Sequence, residues 1–250
     1  MILPSLLTPM VFIFIFTIVI CFLIPYFQKQ KVLRFFDAKY KDQLIRFLLE
    51  DKVFLFEREN YVKQTDFSQS KMFSYFNRYS GEDLVTIVTK ISAGEAVIRF
   101  SDLLVQNVSK DSKGNSSTTT IFNGVFGYVQ FLKQFEFQLG MNNGFWKYEK
   151  VSLESIDFNK SFKIYSSDQI MARLIFTPDR MQKLLNYKLS RKISLHLFNN
   201  RIYFAFHGQE LFQSVLHSNQ SQINVDDFYN DVCVINTLIE EMKAILKDID

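Results

Sequence analysis

The sequence predicts an α+β protein: an N-terminal transmembrane helix followed by a cytoplasmic domain with a mainly antiparallel sheet and covering helices. Three observations lead there. No Asp, Glu, Lys, Arg or His occurs between Met1 and Gln28. Apolar and polar residues alternate from Leu84 onward, in runs separated by turn residues. Apolar residues then recur three to four apart near Pro178 and from Val225 to the end.

The opening segment comes first. Met10 to Ile24 is apolar on every helical face, and a helix from Leu6 to Phe27 rises roughly 33 Å, enough for a hydrocarbon core of about 30 Å. A cleaved secretory signal needs a basic start and small residues at its cleavage site. The start has no Lys or Arg, and Ile24-Pro25-Tyr26-Phe27 is bulky, so residues 1–28 are expected to stay as an anchor. Pro25 and Tyr26 suit the interface. Lys29, Lys31, Arg34, Lys39, Lys41 and Arg46 follow, against Asp37 and Asp42. This excess of cations places the bulk of the chain in the cytoplasm. Of these, Lys29, Lys31, Arg34, Lys39 and Lys41 are the candidate membrane-surface residues, able to meet anionic lipid headgroups.

Residues 29–70 read as a juxtamembrane amphipathic helical segment, and 71–250 as the α+β domain. In the first, Val32, Phe35, Phe36, Tyr40, Leu44, Phe47 and Leu48 keep helical spacing. Periodicity fades between Val53 and Asn77, where a helix is expected to begin near Asp66. Strands are expected over Leu84–Ile91 and Glu95–Phe100, joined by Ser-Ala-Gly, and over Leu103–Val108. The tract Ser109–Thr120 has no apolar residue and is expected to be a mobile loop. Its Asn115-Ser-Ser117 matches the glycosylation pattern, which a cytoplasmic loop would not present to the machinery.

Ile121–Phe131 and Phe135–Leu139 continue as expected strands, the first holding Gly124 and Gly127, a mark of a bulge or a close backbone approach. Phe162–Tyr165 is a shorter one. Thr177-Pro178-Asp179 is a helix start, with Thr as cap and Pro at the first helical position, opening a helix to about Lys188. Lys192 to His207 reads as a hairpin about Asn199-Asn200, with Phe198 opposite Arg201. That register puts Ile193, Leu195, Leu197, Ile202, Phe204 and Phe206 on a core face, and Lys192, Ser194, His196, Arg201, Tyr203 and His207 on a face expected to be wet or lightly covered. Finally, Val225, Phe228, Val232, Ile235, Ile239, Met242 and Leu246 form a seam on a C-terminal helix over 225–249. The helix is capped by Asn224 and suited either to this domain's sheet or to a partner helix.

Composition narrows the chemistry. Lys and Arg number 29 against 26 acids, yet Glu210 to Asp250 is acidic, so the basic balance lies near the membrane. Cys21 and Cys233 fit neither a disulfide framework nor a metal-ligand spacing. His196 lies opposite Tyr203, which sets His207 roughly 13 Å away at about 3.4 Å per residue, too far to share a metal. His217 has no ligand-spaced neighbour. Gly81-Glu82-Asp83 reads as a turn with solvated charges. No phosphate loop, dinucleotide fingerprint, Gly-x-Ser-x-Gly or zinc-protease motif occurs, and no catalytic, cofactor or metal residues are assigned. Nor is a nucleic-acid partner expected.

Arg78-Tyr-Ser-Gly-Glu-Asp-Leu84, Ile98-Arg-Phe-Ser-Asp-Leu103, Phe122-Asn-Gly-Val-Phe126 with Phe131 and Lys133, and Phe158 to Leu185 with Phe162-Lys-Ile-Tyr-Ser-Ser-Asp-Gln169, Ala172-Arg173 and Thr177-Pro178 resemble the DUF3137 family. The resemblance spans about Met72 to Phe212. Thr86 stands where a glycine is expected, and Asp102 where Glu is usual. The resemblance implies a bacterial inner-membrane setting and supplies no catalytic residue. The leading expectation is a membrane-tethered binding or scaffold module, with the lipid bilayer, and a protein partner or second copy at the C-terminal seam, as its contacts. A lipid-sensing module is the alternative, and an unrecognised hydrolase or transferase the third.

Overall fold

The computed structural model describes residues 53–91, 94–142, 147–188 and 192–208, together with Lys39 and Gln43. The opening apolar segment, the rest of the basic flank and the C-terminal seam lie outside the described residues. Every strand and helix below belongs to one compact unit of the chain; Lys39 and Gln43 belong to a second.

Among the described residues the elements run β1 (Val53–Glu57), α1 (Gln64–Gln69), β2 (Arg78–Ile91), β3 (Gly94–Lys110), β4 (Ser116–Gln130), β5 (Leu139–Met141), β6 (Glu149–Val151), α2 (Ile156–Ser161), β7 (Ile164–Ser166), α3 (Gln169–Ile175), α4 (Pro178–Lys188), β8 (Lys192–Phe198) and β9 (Arg201–His207). The strands form one nine-stranded sheet in the order β1-β2-β3-β4-β9-β8-β5-β7-β6, every neighbouring pair antiparallel. An α+β fold with a mainly antiparallel sheet is therefore what these residues adopt. Residues 53–70, read from sequence as part of the helical segment before the domain, supply β1 and the buried Phe67.

Three long strands make the body of the sheet, and local sequence explains their irregularities. In β2 the register shifts between Glu82 and Val85, where one extra residue bulges. Asp83 takes a left-handed φ of 60° there, donates its N–H to the Arg58 carbonyl at 2.9 Å and is 1 % exposed. The expected turn of solvated charges is thus a bulge inside a strand, with Glu82 exposed and Asp83 buried. Gly127 of β4 is the close approach that the sequence suggested: a Cβ there would sit 2.5 Å from the Arg99 carbonyl oxygen, the Phe100 Cβ and the Phe204 Cζ.

The polar tract 109–120 is not a loop. It is the tip of the β3–β4 hairpin, paired from Val108↔Thr118 to Lys110↔Ser116. Asp111 builds the turn by accepting from the N–H groups of Lys113 and Asn115 at 2.9 and 2.8 Å, and Gly114 supplies a φ of 86°. Absence of apolar residues marked exposure on both faces of a ribbon rather than absence of a strand. Where β2 stops, the Asn77 side chain takes over its pairing: its amide N–H donates to the Val108 carbonyl at 2.7 Å and its carbonyl accepts the Val108 N–H at 2.8 Å.

Two short helices, α2 and α3, went unread because each spans only six or seven residues. α2 is capped by Ser155, which accepts from the Phe158 N–H at 3.2 Å. α3 is capped by Asp168, which accepts from Ile170 and Met171 at 2.8 and 3.0 Å. α1 begins two residues before Asp66 and has no side-chain cap. The expected helix at Pro178 runs to Lys188 as read, with the Thr177 hydroxyl accepting from Arg180 N–H at 3.4 Å. Of the expected strand at Phe135–Leu139, only Leu139 is extended, opening β5.

Both faces of the sheet bury apolar residues. One carries Ile87, Ile98, Phe100, Val125, Phe204 and Leu195. The other packs Leu103, Val105, Phe122, Phe126, Tyr128 and Tyr203 against Val62, Phe67 and Met72, so the segment between β1 and β2 lies across it as a strap. The β8–β9 hairpin forms in the expected register about Asn199, whose φ is 55°. The face expected to be wet or lightly covered is corrected at its centre: Ser194, His196 and Tyr203 are buried, with Tyr203 packed against the strap and His196 bonded to the strap's Ser70 carbonyl, whereas Arg201 and His207 are half-buried.

Candidate functional site

The antiparallel register aligns one cross-strand row over the whole sheet on the strap side: Leu55, Thr86, Arg99, Tyr128, Tyr203, His196, Gly140, Tyr165 and Lys150. Its central part is aromatic and basic. The rings of Tyr128 and Tyr203 lie 6.1 Å apart, and those of Tyr203 and His196 6.5 Å apart. Arg201, one row over, lays its guanidinium 4.4 Å from the Tyr128 centroid.

Arg201 also ties the strap down. Its Nη1 donates to Asp66 at 2.7 Å and to Gln69 at 3.2 Å, while Nε and Nη2 donate to the Gln130 Oε1 at 3.1 and 2.9 Å. A planar fork of donors meets acceptors from α1 and β4 at once, which a lysine could not do. Burial raises the Tyr203 hydroxyl pKa above its ordinary range, against the opposing pull of Arg201. This centre is internally satisfied and reads as a clamp.

His196 is the second anchor. It is 1 % exposed, its Nδ1 lies 2.6 Å from the Ser70 carbonyl, and its ring stacks on Phe198 at 5.5 Å. Because a carbonyl only accepts, Nδ1 carries the hydrogen. Burial pushes its pKa down to about 4; the bond to Ser70 opposes this, and the charges of Lys71 and Lys147 add to it. The folded protein therefore holds His196 neutral where the unfolded chain, with an ordinary value of 6.5, takes up a proton. Its contribution is fully present above about pH 6.5 and is lost as pH falls toward about 4, a change of about 3 kcal/mol. Denaturant midpoints measured across this window should fall with pH in the parent protein, and fall less steeply in His196→Gln.

Ser194 and His207 make the described residues' closest likeness to a nucleophile and base, with Oγ and Nε2 3.4 Å apart. Ser194 has no exposed surface and His207 packs edge-on to Phe122 at 5.1 Å, so a substrate could not reach the hydroxyl. Among the described residues no group of three or more His, Cys, Asp or Glu side chains could hold a metal ion. No helix among them is long and apolar enough to cross a membrane.

Of the membrane-surface residues read from sequence, Lys39 is helical and exposed, as is Gln43. Lys29, Lys31, Arg34 and Lys41, and the seam of Val225, Phe228, Val232, Ile235, Ile239, Met242 and Leu246, lie outside the described residues. Sequence reasoning did not find the row. Its members come from nine strands, and only the Tyr203–His196 pair is local. The available signal was the placing of Tyr128, Tyr165, His196 and Tyr203 at alternating positions among apolar strand residues.

No curated protein matches this chain, and no solved structure does. One family profile matches residues 120–244, from β4 to beyond the described residues. Arg78–Leu84 and Ile98–Leu103 precede that match, whereas Phe122–Phe126 and Phe158–Leu185 lie inside it. The match covers half of the chain, so the protein belongs to DUF3137, a family described as proteins of unknown function.

Proposed function

We propose that the protein is a single-pass, membrane-anchored binding or scaffold module of a bacterial inner membrane, with its folded bulk on the cytoplasmic side. The observation that carries this reading is the charge-free opening from Met1 to Gln28, followed by six cations and two acids up to Arg46. Exposed Val53 and Leu55, 76 % and 56 % accessible, lie on the edge strand β1 just beyond the basic segment.

Alkaline carbonate extraction of membranes tests the anchor. The parent chain should remain with the lipid, and Ile15→Arg with Ile18→Arg should release it, each charge at a helix centre costing about 3 kcal/mol. Release of the parent chain by carbonate, or its digestion by protease added outside intact cells, would count against the proposal. Lipid binding is the second reading, favoured by the basic flank. Equal binding to neutral and anionic vesicles would remove its electrostatic form.

A further inference from the structure

We draw no further inference here: the strongest candidate, the exposed apolar corner of the sheet where Val53 and Leu55 of the edge strand β1 lie beside Val88 of β2, is a bare surface patch, and nothing among the described residues shows what covers it.

Discussion

Phe67→Ala is expected to lower stability by about 4 kcal/mol and the melting temperature by roughly 12 °C. Phe67 is 1 % exposed and is the plug by which the strap enters the core. Its ring stacks on Phe73 at 4.6 Å and meets Phe126, Phe76, Tyr79 and Phe122 at 4.8 to 6.0 Å. Truncation removes the transfer free energy of the ring and leaves a cavity lined by five aromatic side chains. These are fixed on β2 and β4 or in the strap itself, so collapse around the hole is limited. Thermal unfolding followed by near-ultraviolet circular dichroism reads the effect. A loss below about 1 kcal/mol would show that the strap is not seated on the sheet in solution.

Gly127→Ala is expected to cost at least about 3 kcal/mol, toward the upper end for an added core methyl. The new Cβ would meet the Arg99 carbonyl oxygen, the Phe100 Cβ and the Phe204 Cζ, all at 2.5 Å. Two of these atoms are backbone or next to it, on a strand paired with both neighbours, so relief requires β3 and β4 to separate. Gly114→Ala makes the comparison. It has open space around its Cβ but a φ of 86°, so only backbone strain of about 1 kcal/mol is at issue. Denaturant unfolding of the two variants should therefore rank Gly127→Ala well below Gly114→Ala. The reverse order would mean that the glycine is needed for its torsion and not for closeness.

What was legible in the sequence is what local physics decides. The β8–β9 hairpin and its register followed from Asn199-Asn200 and strict alternation, and α4 followed from Thr177-Pro178-Asp179. What was missed depends on partners far along the chain. His196 alternates like a surface residue, and the group that meets it in the core is the Ser70 carbonyl of the strap, more than a hundred positions earlier. The polar tip of β3 and β4 looked like a loop because a two-stranded ribbon exposed on both faces has no apolar phase to read. The aromatic and basic row needed eight separate pairings to assemble, so no window of sequence could contain it.

The amide of Asn77 has a consequence for the life of the protein among copies of itself. Where β2 ends, β3 would otherwise present the peptide groups of Val108 as a template for a passing extended chain. By satisfying both groups, a single side chain closes that position without adding a strand. At that position the Asn77 side chain stands in for the neighbouring strand that is missing.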